Sequence, residues 1–211
     1  MPEQSKKPRK IYYDSRSVTL RTKQTIYFVQ EHDKAAMLEL ILKERAEKQS
    51  VILTRSKLRA DELSAYLQTK EIKASAIHSN RRVSEQEEIA NAFKSGELKI
   101  IITTDKILEA LALTNIEFVV SYDLPIESET YFARVASLKE LGDAVALVSP
   151  EDDRLLSTIE LALKQELPQE ELAGFTPTPF VPKKTSIRLN PEKKKPRHKK
   201  KKAKKTPQKE S

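Results

Sequence analysis

The chain has 211 residues, which allows one ordinary domain of about 150 residues together with tails. Its net charge of +8 is uneven: residues 181–211 hold 14 Lys and Arg against 2 acidic residues, whereas residues 1–180 carry 25 basic and 29 acidic side chains. With no cysteine and no apolar stretch of roughly 18 residues, the sequence excludes disulfides, thiolate metal sites and a membrane span, and it predicts a cytoplasmic protein.

Strand-like and helix-like segments alternate along the chain from residue 18 to residue 167. Short apolar, β-branched runs predict strands at 18–30, 51–53, 74–77, 99–103, 118–121 and 144–148. Helical spacing of apolar residues predicts helices after Asp33, at 58–67, after Ser84, and at 105–111, 128–138 and 152–163. This alternation predicts an α/β domain of three layers, in which helices cover both faces of a mainly parallel sheet.

Composition divides the rest of the chain. Residues 1–17 are polar and predict a flexible N-terminal segment, and residues 18–167 form the predicted domain. Residues 168–182 include the proline-punctuated run FTPTPFVP and predict a linker. Residues 183–211, here called the Lys-rich tail, have too few apolar residues to form a core and predict a disordered basic segment.

Basic and hydroxyl residues follow several of the predicted strands. Because the carboxyl ends of parallel strands meet at one edge of a sheet, these side chains are candidates for contact with phosphate groups. A solvated basic turn is the simpler alternative for each of them. The candidates from these positions are Arg55, Lys57, Arg81 and Arg82.

Five motifs occur in a fixed order: VILTRSK at 51–57, HSNRRVSEQE at 78–87, TTD at 103–105, YDLP at 122–125 and YFARVASLKELG at 131–142. Their order and spacing resemble the second, C-terminal RecA-like domain of DEAD-box RNA helicases, over about residues 23–167. The resemblance implies a RecA-like fold and loops that contact the RNA backbone, and it adds Ser56, Thr104, Asp105 and Arg134 to the candidates for phosphate contact. It identifies the chain as a degenerate, stand-alone version of that domain.

The departures from the family fall on the side that faces the nucleotide. Glu109 stands where the family has arginine, and Ala112 where it has the aspartate that holds the ribose. Ser137 and Glu140 stand where the family has the two arginines that act on the transferring phosphate. With only 3 Gly there is also no GxxxxGK[ST] loop. We therefore expect no catalytic residue, no metal site and no cofactor for this chain alone; ATP and Mg²⁺ would bind only if a separate domain supplied the phosphate loop.

The Lys-rich tail predicts binding to RNA or to a ribonucleoprotein, because clustered cations release the counterions condensed on a nucleic acid. Its candidate contacts are Lys193, Lys194, Lys195, Arg197, Lys199, Lys200, Lys201 and Lys202. A non-catalytic RNA-binding factor is the predicted function. Two alternatives stay open: one half of a split helicase that works in trans with a separate ATP-binding domain, and a protein-interaction adaptor.

Overall fold

The computed structural model describes residues 22–111, 113, 115–138 and 142–179. The strands are β1 Lys23–Phe28, β2 Ser50–Leu53, β3 Ala74–Ala76, β4 Ile100–Thr103, β5 Phe118–Ser121 and β6 Asp143–Val148. The helices are α1 Lys34–Glu44, α2 Lys57–Thr69, α3 Val83–Ser95, α4 Asp105–Leu111, α5 Ser128–Ala136 and α6 Asp153–Leu163. Single 3₁₀ turns at Glu31–Asp33 and Pro150–Asp152 lead into α1 and α6.

The strands form one sheet in the order β1-β6-β5-β2-β4-β3, and every neighbouring pair is parallel. Parallel neighbours need crossover connections, which the helices supply. All the strands therefore end at the same edge of the sheet, and the loops that follow them converge there. The predicted parallel α/β architecture is confirmed.

Alternate residues of the strands bury opposite faces of the sheet. In β4, Ile101 packs into the cluster formed with α3, α4, α5 and α6, whereas Ile100 and Ile102 pack into the cluster formed with α1 and α2. Phe93 and Leu38, both fully buried, belong to the first and the second cluster respectively. Apolar burial on both faces explains why the strands are continuous β-branched runs rather than alternating ones, and it confirms the three predicted layers.

None of the helices in the described part of the chain has the length and apolarity needed to cross a membrane. Residues 1–21 and 180–211 lie outside the described ranges. The flexible N-terminal segment, the far end of the linker and the disordered Lys-rich tail therefore stay predictions.

Residues 168–179, here called the edge segment, run beside the outer strand β1. The Ile26 amide donates to the Pro168 carbonyl at 2.8 Å, and the Glu170 amide donates to the Ile26 carbonyl at 3.0 Å. Leu172 is buried against the cluster that contains Tyr27. The part of the predicted linker that the structure describes thus packs on the domain, although the boundary at residue 167 stays a prediction.

The far end of the edge segment is held by one carboxylate. Thr178 donates its amide to Asp33 Oδ2 at 2.9 Å and its hydroxyl to Asp33 Oδ1 at 2.6 Å. Burial by itself would raise the pKa of Asp33, but the two hydrogen bonds from Thr178 lower it below its usual value. These bonds favour the ionised carboxylate in a buried position.

We expect Thr178→Val to destabilise the full chain by about 1 kcal/mol, because a buried carboxylate loses a charge-assisted hydrogen bond. Urea unfolding followed by circular dichroism measures the difference. Thr176→Val is the matched control, since Thr176 is exposed and, like Thr178, is followed by a proline. Equal losses for the two variants would mean that Asp33 does not anchor the segment.

Candidate nucleic-acid interface

The polar candidates lie at the carboxyl edge of the sheet, as the parallel topology requires. Residues 55–57 follow β2, His78 lies beyond β3, Thr104 and Asp105 follow β4, and Asp123 lies beyond β5. The β4 end is tied to its neighbour strand, because the Thr103 hydroxyl donates to the Ile77 carbonyl at 2.8 Å.

Arg55 and Lys57 are both held by neighbouring side chains. The Arg55 amide donates to Asp123 Oδ2 at 2.8 Å, and its guanidinium Nη2 lies 3.1 Å from Asp152 Oδ1. About half of the Arg55 side chain, 47 %, stays exposed. Lys57 Nζ donates to Asn80 Oδ1 at 2.8 Å on the surface. Both cations are accessible, but Arg55 is already partly neutralised by a carboxylate.

Ser56 has a local structural role. It is the N-cap residue of α2, and its hydroxyl accepts the Arg59 amide at 3.2 Å. A serine at this position satisfies one of the amides that the first helical turn leaves without a carbonyl partner. Its backbone holds the loop, and its side chain is committed to the helix.

The loop between β3 and α3 places Arg81 and Arg82 on the surface next to α2. His78 is buried, with Nε2 2.9 Å from both carboxylate oxygens of Asp61. Arg81 Nη2 lies 3.5 Å from the same carboxylate. Arg82 is exposed and precedes the first residue of α3. Asp61 therefore balances part of the positive charge that the sequence places in this loop.

A buried carboxylate, Asp152, joins β6 to the rest of the carboxyl edge. Asp152 Oδ2 accepts hydrogen bonds from Lys34 Nζ at 2.8 Å and from the Ser149 hydroxyl at 2.7 Å. Lys34 itself is fully buried. Burial alone would raise the pKa of Asp152, but the bonds from Lys34 and Ser149 outweigh it and lower this pKa to about 2.

The sequence analysis did not single out Arg59 and Asp123, which form an ion pair at this edge. Arg59 Nη1 lies 3.0 Å from Asp123 Oδ1, and the same guanidinium pairs with Glu31. Its carbon Cζ lies 5.5 Å from the centre of the Tyr122 ring, within cation–π range. The only signal in the sequence was the position of Arg59 three residues after the N-cap serine, and that spacing does not reveal a partner in a distant loop.

Arg134 and Asp105, both predicted to face RNA, pair with each other. The guanidinium donates through Nε and Nη2 to the two carboxylate oxygens of Asp105, at 2.5 and 2.8 Å, and through Nη1 to the Asp123 carbonyl at 2.7 Å. Arg134 is only 1 % exposed. This bidentate pair fastens α5 to the start of α4, so the Arg134 charge is used inside the domain.

Two of the degenerate positions, Glu109 and Ser137, line a cleft of about 200 Å³ between α4 and α5. Glu109 is exposed, and the Ser137 hydroxyl donates to the Arg134 carbonyl at 2.6 Å. Among the described residues that line the cleft, Arg134 is the only cation, and Asp105 neutralises it. The described lining of the cleft therefore offers a phosphate group no unpaired cation, and Glu109 would repel it.

The structure thus brings residues 55–57, 81–82 and 104–105 to one edge, where Thr104 is partly exposed and its carbonyl accepts the amides of Ile107 and Leu108. Ala112 and Glu140 lie outside the described residues, as do all the candidate residues of the Lys-rich tail.

Residues 33–136 match the model of the helicase conserved C-terminal domain. This chain contains the C-terminal RecA-like domain of the DEAD-box helicases. The RNA helicase CrhR of Synechocystis is 33% identical over 157 residues, which are 72% of this chain and 32% of that relative. The ATP-dependent RNA helicase vasa of Drosophila melanogaster is 33% identical over 138 residues, 64% of this chain and 21% of that relative.

Solved structures agree on the fold of this helicase domain. The DEAD-box protein SrmB of E. coli superposes with a TM-score of 0.70 at 19% identity, covering 76% of this chain and 96% of that one. A DEAD box protein from Methanococcus jannaschii gives 0.68 at 24% identity, covering 73% and 43%. Identities this low establish the RecA-like fold alone. The chain spans about a third or less of the length of the curated relatives named above.

In this helicase domain we expect Arg134→Gln to lower the free energy of unfolding by about 3 kcal/mol, because it leaves a buried carbonyl and a paired carboxylate without their donor. Urea unfolding measures the loss. Arg154→Gln, on the exposed face of α6, is the control and should change stability by less than about 0.5 kcal/mol. A small loss for Arg134→Gln would show that its charge acts at the surface instead.

Asp152→Asn should destabilise the domain by about 2 kcal/mol at neutral pH. Since the folded pKa lies below the usual value of 3.8, this contribution is present above about pH 4 and is lost as the pH falls toward about 2. The difference in unfolding free energy between wild type and variant, measured from pH 7 downward, should therefore shrink in acid. The exposed neighbour Glu151, changed to Gln, serves as the control; a difference independent of pH would contradict the assignment.

Proposed function

We propose that this chain is a non-catalytic, RNA-binding or ribonucleoprotein-associated factor built on a helicase C-terminal domain. The observation that carries the proposal is the cleft between α4 and α5. It is lined by Glu109 and Ser137, and its buried Arg134 is committed to Asp105. The described residues of this cleft supply no unpaired cation that could stabilise a transferring phosphate.

The rate contribution of an arginine finger shows how much catalysis its loss would remove. An arginine finger accelerates phosphoryl transfer by roughly 10³ to 10⁵. Ser137 supplies no charge, and the exposed Glu109, at another position where the family has arginine, opposes the charge that develops on the phosphate. The residues present do not fit ATP and Mg²⁺, so we assign no step of hydrolysis to this chain and no cofactor to it alone.

RNA affinity is assigned mainly to the Lys-rich tail. The first 180 residues are net acidic, and two of the cations at the carboxyl edge already have partners, Arg55 with Asp152 and Lys57 with Asn80. A phosphate that binds there must replace those contacts, which costs part of the gain. Clustered lysines in the tail gain counterion-release free energy without that competition. The proposal places the protein in the cytoplasm, with RNA as its partner.

An adaptor role is the second candidate. SrmB has been solved bound to the regulator RraA, and the C-terminal domain of the yeast protein Dbp5 bound to Gle1. Those assemblies belong to those proteins, but they favour a domain of this fold as a platform for other proteins. The split-helicase alternative is disfavoured by the chemistry of Glu109 and Ser137, because a separate ATP-binding domain would meet the same cleft.

The test is binding of a fluorescent single-stranded RNA to the full chain and to residues 1–182, titrated across salt. We expect truncation to weaken binding by roughly 100-fold, with a steep salt dependence for the full chain only. The matched control is the full chain with Arg55→Gln and Lys57→Gln, which should lose less than about threefold.

Equal affinity of the full and truncated chains would show that the Lys-rich tail is not the source of binding. Absence of binding by both chains would contradict the RNA-binding function and favour the adaptor role. ATP hydrolysis stimulated by this chain when it is mixed with a helicase ATP-binding domain would overturn the non-catalytic assignment.

A further inference from the structure

A groove lies on the opposite side of β1 from β6, between that strand and the edge segment. It encloses about 570 Å³, a volume in the range of pockets that hold drug-sized ligands or large side chains. Its apolar lining comes from β1, α1 and the edge segment: Phe28, Met37, Leu172, Phe175 and Pro177. Phe28 is 49 % exposed, which is unusual for a phenylalanine in a sheet.

Backbone groups of β1 also face this groove. Val29 donates its amide to Val148 in β6, whereas Ile26 directs its amide and carbonyl away from β6, to the edge segment. Residues two apart in a strand direct their backbone groups to the same side. Phe28 therefore presents its amide and carbonyl to the groove, beyond the point where the edge segment pairs with Ile26. This short stretch of sheet edge can accept one more extended strand.

The groove has an acidic rim. Glu170 and Glu171 belong to its lining and are exposed, and none of the described lining residues is Lys or Arg. A rim of this charge repels nucleic acid phosphates. It attracts a ligand that carries positive charge next to its apolar part.

We propose that this groove docks an extended peptide segment of a partner protein, in which an aromatic or aliphatic anchor is flanked by Lys or Arg. The anchor packs on Phe28, Met37 and Phe175, the backbone pairs with Phe28, and the basic residues meet Glu170 and Glu171. This combines strand addition at a sheet edge with a side-chain pocket. The site is separate from the carboxyl-edge residues proposed above to face RNA.

A second copy of the chain is a poorer occupant. A symmetric contact places the same patch of both copies face to face, so the two pairs of glutamates would approach each other. The like charges would oppose the contact. A basic peptide instead gains at the same rim.

The test is selection of peptides from a random library displayed on phage, with the immobilised full chain as target, followed by affinity measurement for the selected peptides. We expect enrichment of an apolar anchor with neighbouring Lys or Arg. Phe28→Ser and Glu171→Lys should each weaken binding by roughly tenfold or more. Leu161→Ser is the matched control, because Leu161 is an 80 % exposed apolar residue on α6 and lies outside the groove; it should leave the affinity unchanged.

Peptides that bind Phe28→Ser and Glu171→Lys as tightly as wild type would overturn the site. Enrichment of acidic peptides alone would also overturn it.

Residues 6–13, KKPRKIYY, have the same chemistry as the proposed ligand. If Tyr12→Ser with Tyr13→Ser raised peptide affinity by roughly tenfold, the groove would belong to that segment and not to a partner. A dimer that Phe28→Ser dissociates would assign the groove to a second copy.

Discussion

Internal carboxylates control the carboxyl edge of the sheet. Asp105, Asp123 and Asp152 each accept a hydrogen bond or an ion pair from a cation on a neighbouring helix: Arg134, Arg59 and Lys34 respectively. Burying Lys34 or Arg134 without such a partner would cost several kcal/mol. The helices that carry them can therefore pack at this edge of the sheet only when the pairs form. The geometry of the candidate interface follows from them: they fix the positions of the arginines, and they also reduce the charge available to a ligand.

Two sets of residues with different roles share the cleft between α4 and α5. The pair between Arg134 and Asp105 is structural, since it ties α5 to α4 inside the domain. Glu109 is exposed on α4, and Ser137 is the half-buried C-cap residue of α5, so a change of side chain at either position has little effect on packing. Under the proposed non-catalytic function, substitution at these two positions removes phosphate stabilisation at low cost to the fold.

The fold was predictable because its signals are local. Buried β-branched runs and helical periodicity placed α4 at Asp105–Leu111 and β5 at Phe118–Ser121, and the structure has the same limits. The predicted start of a helix after Ser84 was slightly late, since α3 already begins at Val83, without a side-chain cap. The pairing of Arg134 with Asp105 was not predictable from spacing, because it depends on how two helices pack across 29 residues. Proline in the edge segment indicated extended backbone but not its contact with β1.

The edge segment covers part of the outer strand β1 and leaves a groove beside the rest of it. An outer strand with open backbone groups invites uncontrolled pairing, and covering it with a chain segment removes that hazard. Here the cover pairs with Ile26 and is fastened again where Thr178 meets Asp33. The residues between the two attachments, among them Leu172, Phe175 and Pro177, line the groove together with Phe28. Its existence therefore depends on the Asp33 carboxylate, and weakening that attachment should alter peptide docking while leaving the carboxyl edge intact.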